Sequence, residues 1–105
     1  DACQWFGTAW FCDPDDCPSH MVEITRIKNG GSTAFDFGSA GCVWGKKILC
    51  CRKEAVRKDI KKHCFKYAEA ANDAFKECPT GTVELYFDNA ESSNGIPTCC
   101  EEGTI

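Results

Sequence analysis

Apolar residues recur at helical spacing over residues 52–78, the longest periodic stretch of the chain. They step by three or four positions, so at 100° per residue they fall in a sector roughly 80° wide. No Gly or Pro interrupts the stretch, and Pro79 follows it as a stop signal. This spacing predicts one long amphipathic helix over about residues 52–78. Its apolar positions are Val56, Ile60, Cys64, Tyr67, Ala71, Ala74 and Cys78.

Alternation of apolar and polar residues predicts short strands on both sides of that helix. Residues 21–28, 42–44, 47–51 and 82–88 read as strands. Asn29-Gly30-Gly31 is typical of a hairpin turn, and residues 32–37 would then be the return strand. The predicted fold class is therefore α+β, a small disulfide-rich domain with one long helix packed on a short antiparallel sheet. We expect no internal repeat.

The chain contains ten cysteines among 105 residues. An even number at this density predicts five disulfides and a secreted, extracellular protein. No Cys-x2-Cys pair typical of zinc sites is present, so we expect no metal and no cofactor. No apolar run reaches the ~18 residues of a membrane span, and Asp1 suits an N-terminus left by removal of a leader. The predicted disulfide cysteines are Cys3, Cys12, Cys17, Cys42, Cys50, Cys51, Cys64, Cys78, Cys99 and Cys100.

The predicted helix restricts how these cysteines pair. Cys64 and Cys78 would lie about 21 Å apart along an unbroken helix, whereas the Cα atoms of a disulfide lie within ~7 Å of each other. The neighbouring Cys99 and Cys100 then reach both helix cysteines only if the helix breaks between them. An unbroken helix therefore predicts at least one bridge between the two halves of the chain.

Positive charge is concentrated in one stretch. Residues 46–66 hold nine of the twelve Lys and Arg residues against two acidic ones, a net charge of +7, and the rest of the chain carries −11. On the predicted helix, like charges four apart, such as Lys58 and Lys62, each cost roughly 0.2–0.5 kcal/mol. The cations also lie toward the helix N-terminus, where the macrodipole disfavours them. We therefore expect disulfides to hold the helix and the charge to serve binding.

The basic face predicts a non-enzymatic effector or toxin-like ligand for an acidic extracellular protein or an anionic membrane surface. Phe65 falls among the lysines, away from the apolar stripe, and would be an apolar anchor. Nucleic acid is not an expected partner, because the protein is predicted to be secreted. The small side chains of Ala68, Ala71 and Ala74 leave a homodimer open. The predicted partner-binding residues are Lys53, Arg57, Lys58, Lys61, Lys62, Phe65 and Lys66.

Two other binding functions stay open. Trp5, Trp10 and Trp44 would stack on sugar rings in a lectin-like module, unless these large side chains fill the core instead. Residues 89–98 would be the exposed loop of a protease inhibitor. Catalysis is not expected, because paired cysteines leave no thiol nucleophile and the two histidines show no triad or metal spacing.

The first half of the chain carries a distinctive cysteine motif. It reads Cys3-x-Trp5-x-Gly7-Thr8-Ala9-Trp10-Phe11-Cys12-x4-Cys17-Pro18, followed by Gly41-Cys42-x2-Gly45-Lys46-Lys47-x2-Cys50-Cys51. This motif resembles a cysteine-rich module of secreted invertebrate and microbial proteins, in which Pro occupies the position of Trp10. The resemblance covers about residues 1–51 and implies secretion and a six-cysteine framework, with no catalytic residues. Residues 52–105 would add the helix, a strand and the tail to a single disulfide-stapled domain, residues 1–105.

Overall fold

Short strands dominate the computed structural model, which describes residues 2–8, 10–32, 35–38, 41–68, 77–89 and 95–105. The described strands form three sheets, in the orders β1-β6-β3, β2-β5 and β4-β8-β9-β7. All neighbouring strands are antiparallel except β2 and β5, which are parallel. In chain order the strands are β1 (Cys3–Phe6), β2 (Phe11–Cys12), β3 (Met21–Ile27), β4 (Gly30–Gly31), β5 (Trp44–Gly45), β6 (Lys47–Arg52), β7 (Cys64–Lys66), β8 (Thr82–Asp88) and β9 (Ile96–Glu101).

The prediction of a long helix over residues 52–78 is wrong. After β6 the chain forms two short 3-10 helices, Lys53–Ala55 and Ile60–His63, and then enters β7 at Cys64. Residues 69–76, which the predicted helix also covers, lie outside the described residues. The protein is therefore a small disulfide-rich fold built mostly of strands, and not a long helix packed on a sheet.

Two backbone features end any helical run between residues 52 and 64. Val56 is extended, at φ −118° and ψ 148°, and Asp59 is left-handed, at φ 56° and ψ 44°. The repulsion between neighbouring lysines also disfavours a helix here. Ile60 is nevertheless buried and Val56 packs on the core. The apolar spacing thus identified Val56 and Ile60 correctly as inward-facing, but not the backbone that carries them.

β6 is the central strand of the first sheet, between β1 and β3. Its residues 47–51 are all buried, which explains why they read as a nearly continuous apolar run. Successive side chains of a strand point to opposite faces, so the adjacent Cys50 and Cys51 reach different partners. Cys51 is bonded to Cys3, directly opposite it on β1, and Cys50 is bonded to Cys17.

The second half of the chain repeats this three-stranded arrangement, contrary to the expectation of no repeat. β9 lies between β7 and β8, as β6 lies between β1 and β3. The strands of each equivalent pair β3/β8 and β6/β9 have the same length, seven and six residues. The registers also agree: Cys3 opposite Cys51 corresponds to Cys64 opposite Cys100, and Met21 opposite Arg52 corresponds to Thr82 opposite Glu101.

Irregular features recur at equivalent positions as well. Each unit has a bulge at the same place in its long strand, a turn closed by a proline carbonyl, and two disulfides to adjacent cysteines. The bulges follow Glu23 and Glu84, the amides of Met21 and Thr82 donate to the carbonyls of Pro18 and Pro79, and Cys78 bonds Cys99 as Cys17 bonds Cys50. The described strands β1, β3 and β6 therefore form the same arrangement as β7, β8 and β9, and we call residues 3–52 the first unit and residues 64–101 the second.

All ten cysteines are paired, which confirms the five predicted disulfides. The pairs are Cys3–Cys51, Cys12–Cys42, Cys17–Cys50, Cys64–Cys100 and Cys78–Cys99. No bridge joins the two units, so the prediction of a bridge between the halves is wrong. Cys99 and Cys100 serve both Cys78 and Cys64, which the helix geometry allowed only if the helix was broken.

The two units are joined by backbone pairing and by a shared core. β4 pairs with β8 of the second unit, so the predicted hairpin at Asn29-Gly30-Gly31 does not form. Trp5 lies at the joint, edge-on to Phe37 at 4.9 Å and to Tyr86 at 6.4 Å between ring centroids. Its indole Nε1 donates to Ser32 Oγ at 3.1 Å. One cluster of buried residues includes Ile24 of the first unit and Leu85 of the second.

Candidate binding site: a cationic groove

The segment between β6 and β7, residues 53–63, carries much of the exposed positive charge. Two backbone hydrogen bonds attach it to distant parts of the chain. The amide of Lys53 donates to the carbonyl of His20 at 3.2 Å, and the amide of Arg57 donates to the carbonyl of Thr104 at 2.8 Å. The segment is therefore anchored at both the first unit and the C-terminal tail.

Arg57, His63 and Glu101 form a third anchor. Arg57 Nη1 donates to Glu101 Oε2 at 3.0 Å, and His63 Nδ1 lies 2.8 Å from the same oxygen. The His63 tautomer protonated at Nδ1 donates to that carboxylate. Exposed pairs of this kind contribute about 0.2–1 kcal/mol each, so their main effect is to orient the segment. The Arg57 side chain is thus engaged within the molecule.

The segment and β3 together line an open groove of about 500 Å³. The floor is apolar and consists of Val22 from β3 together with Val56 and Ile60. The rim is mainly basic, and its exposed residues are Lys53, Arg57, Lys58, Lys61 and Lys62, with Glu23 and Asp59 as the acidic members. We call this feature the cationic groove. Ammonium groups around an apolar floor suit a ligand that combines negative charge with an apolar side chain.

A smaller recess of about 330 Å³ adjoins the cationic groove and shares Ile60 and Lys61 with it. Phe65 and Lys66 of β7 line this recess. The Phe65 ring is 44% exposed and packs edge-on against Tyr67, with 6.3 Å between the ring centroids. All seven residues predicted to bind a partner are therefore exposed along two adjoining recesses, although no helix presents them.

The three predicted sugar-binding tryptophans occupy different environments. Trp5 is only 7% exposed and belongs to the core. Trp10 and Trp44 are 61% and 58% exposed. Trp5 is therefore a core residue and is not available to stack on a sugar ring. Trp10 and Trp44 lie on the surface and are accessible to a ligand.

Two other predicted sites fall partly outside the described residues. Of the predicted inhibitor loop, residues 90–94 are not described, and Ile96, Pro97 and Thr98 belong to β9. The loop prediction is therefore wrong for residues 96–98, and its residues 90–94 lie outside the described part of the chain. Of the alanines that would form a dimer contact, Ala71 and Ala74 are not described.

Sequence reasoning missed the apolar floor of the cationic groove as part of the site. Val22 was assigned to a strand, and Val56 and Ile60 to the buried stripe of a helix. A usable signal was present, because Val56 and Ile60 are the two large apolar residues of a stretch that is otherwise rich in Lys and Arg. Sequence reasoning also missed Phe11 and Val43, which are exposed beside Trp10 and Trp44.

Comparison with protein-family models, curated proteins and solved structures finds no match for this chain. The resemblance of residues 1–51 to a secreted module therefore stays a prediction. Among the described residues, no helix combines the length and the hydrophobicity needed to cross a membrane. The five disulfides fit an extracellular or secreted protein.

Proposed function

We propose that this protein is a secreted, toxin-like or effector ligand that binds an acidic extracellular protein through the cationic groove. The observation that carries this proposal is that four exposed lysines line the same groove as three apolar residues. Five disulfides would keep the fold, and hence the groove, intact outside the cell. The proposal needs no catalytic residue, because the groove binds by charge and shape alone.

Electrostatics favours an acidic partner. Residues 46–66 carry a net charge of +7 in a chain whose total is −4. Charges clustered in this way steer an oppositely charged partner during diffusional encounter and make association sensitive to salt. Lys58, Lys61 and Lys62 are the most useful members of the rim, since all three are exposed and line the groove.

The floor favours a protein partner over a simple polyanion. Val22, Val56 and Ile60 would receive an apolar side chain, and burial of such a side chain contributes roughly 25 cal/mol per Å². Phe65 would supply a second apolar contact from the adjoining recess. A sulfated polysaccharide would use only the charges, whereas an acidic peptide with an apolar residue would use both the rim and the floor.

Charge reversal at the rim tests this function. The variant Lys58→Glu/Lys61→Glu/Lys62→Glu is compared with the wild type for binding to a synthetic oligo-glutamate peptide that carries one central leucine. The expected result is at least a tenfold loss of affinity for the variant, and a fall in wild-type affinity as salt rises. The matched control is Lys28→Glu/Lys46→Glu, two exposed lysines that do not line the groove, which retains most of the affinity.

Heparin and vesicles containing phosphatidylserine serve as competing probes. Equal peptide binding by the wild type and the triple variant would remove the proposal. Binding to heparin or vesicles with no binding to the peptide would assign the groove to a polyanion or a membrane, and the proposed protein partner would be wrong.

A further inference from the structure

Four large apolar residues of the first unit are exposed in β2 and β5 or directly before them. Trp10, Phe11, Val43 and Trp44 are 61%, 72%, 60% and 58% exposed. β2 and β5 place Phe11 opposite Trp44, Trp10 and Val43 directly precede these strands, and the Cys12–Cys42 disulfide joins the two segments. The amides of Val43 and Trp44 both donate to the carbonyl of Trp10, at 2.8 and 3.2 Å. We call this group the aromatic tip.

The backbone of the aromatic tip is tightly specified. Gly45 has φ +77°, a conformation that other residues rarely adopt, and a Cβ there would overlap the carbonyl oxygen of Cys12. A glycine, a disulfide and a pair of hydrogen bonds thus constrain the backbone that carries four exposed side chains outside the core. Such a cluster of exposed apolar residues marks an interaction site more often than scattered surface residues do.

Comparison of the two units shows that the three-stranded unit does not need the tip. Residues 28–46 connect β3 to β6 in the first unit, whereas residues 89–95 connect β8 to β9 in the second. The first connection is twelve residues longer, and it carries Val43 and Trp44. The second unit keeps its strand order, register, bulge and two disulfides with the shorter connection.

A groove of about 520 Å³ beside the tip supplies polar groups. Phe11 lines both features, and the groove also includes Thr8 and three carboxylates, Asp13, Asp15 and Asp16. Asp16 pairs with Arg26 at 3.0 Å. Asp13 and Asp15 are exposed and form no ion pair with any described residue. Carboxylates with unused lone pairs accept hydrogen bonds from hydroxyl or ammonium groups.

We propose that the aromatic tip and this acidic groove bind an oligosaccharide of neutral or amino sugars. The C–H face of a sugar ring would stack on Phe11 and Trp44, and its hydroxyl or ammonium groups would donate to Asp13 and Asp15. Negative charge beside the rings disfavours anionic lipids and sulfated glycans. This inference does not depend on the cationic groove, because that groove adjoins the other end of β6.

A panel of defined oligosaccharides tests the inference: neutral hexose oligomers, N-acetylated and free amino-sugar oligomers, and sulfated oligomers. The wild type is expected to bind one or more of the uncharged or amino-sugar members. Phe11→Ala and Trp44→Ala should each weaken that binding at least tenfold. The matched control, Phe65→Ala, removes an exposed ring from the recess that adjoins the cationic groove and leaves sugar binding unchanged.

The carboxylates are tested by Asp13→Asn/Asp15→Asn, which should weaken binding of amino sugars severalfold more than binding of neutral ones. The substituted side chains are all exposed, so we expect every variant to fold. Matching circular dichroism spectra of the variants and the wild type check this before binding is compared. Binding to none of the oligosaccharides, or only to sulfated ones, overturns the proposal. So does a tip-dependent association with vesicles or with a second copy of the chain in place of sugar binding.

Discussion

Asp59 shows most clearly why the backbone of the basic segment departs from a helix. It has φ 56° and ψ 44°, and no other described residue except glycine has a positive φ. Asp and Asn tolerate this conformation better than most residues, because a short polar side chain can bond locally. The sequence predicts a helical conformation for Asp59, because a single aspartate does not interrupt apolar residues that recur every three or four positions.

Substitution of Asp59 distinguishes the two backbones. In the left-handed conformation Asp59→Gly should leave the free energy of unfolding unchanged or raise it slightly, whereas Asp59→Ala should lower it by about 1 kcal/mol. A helix would give the reverse order, because Gly is about 1 kcal/mol less favourable than Ala in a helix interior. Denaturant unfolding of both variants measures the difference, and a more stable Ala variant would contradict the structure.

Strands β3, β6 and β8 were predicted with nearly their observed bounds, because each has clear alternation or an apolar run bounded by turn residues. β9 was missed over Ile96–Thr98. Pro97 argues against a central strand, since proline has no amide to donate. In the structure Pro97 nevertheless lies opposite Phe87 in β9, and its carbonyl accepts a hydrogen bond from the amide of Tyr67 at 2.9 Å.

The pairing of the two-residue strand β4 was beyond sequence reasoning. β4 is only Gly30–Gly31 and pairs with β8, far along the chain. The same two glycines are an ordinary hairpin signal when only neighbouring residues are considered. Their actual role is close approach, because a Cβ at Gly30 would overlap the carbonyl oxygen of Phe87.

Gly30→Ala should therefore loosen the joint between the units. We expect the free energy of unfolding to fall by about 1–3 kcal/mol, the range typical of an overpacked contact. Amide hydrogen exchange should show loss of protection at Phe87 and its neighbours, with protection of β6 retained. Thr80→Ala, an exposed turn position, is the control and should stay within about 0.5 kcal/mol of the wild type. Unchanged protection in β8 of the Gly30 variant would show that this pairing does not join the units.

The duplication is visible in the whole molecule and faint in the sequence. Residues 17–23 and 78–84 share a Cys-Pro start and a Val-Glu pair, and each unit ends in adjacent cysteines. The connections between the long and central strands differ by twelve residues, so the two copies do not align at one fixed spacing. A fixed period is what a search for repeats detects most readily.

The exposure of the predicted binding residues was anticipated better than the fold. The lysines and Phe65 are exposed and adjoin one another, because charged side chains avoid burial whatever backbone carries them. Their arrangement around an apolar floor was not predictable, since it depends on the second unit holding Cys64 against β9. The cationic groove therefore follows from how the two units are stapled.

Disulfide mapping by partial reduction, alkylation and mass spectrometry tests most directly whether each unit is closed by its own disulfides. Stepwise alkylation distinguishes the adjacent cysteines. The two-unit structure predicts Cys64–Cys100 and Cys78–Cys99 in the second unit, with Cys3–Cys51 and Cys17–Cys50 as their equivalents. A bridge between any of the first six cysteines and any of the last four would contradict the separate stapling of the units, and with it the path of the segment that lines the cationic groove.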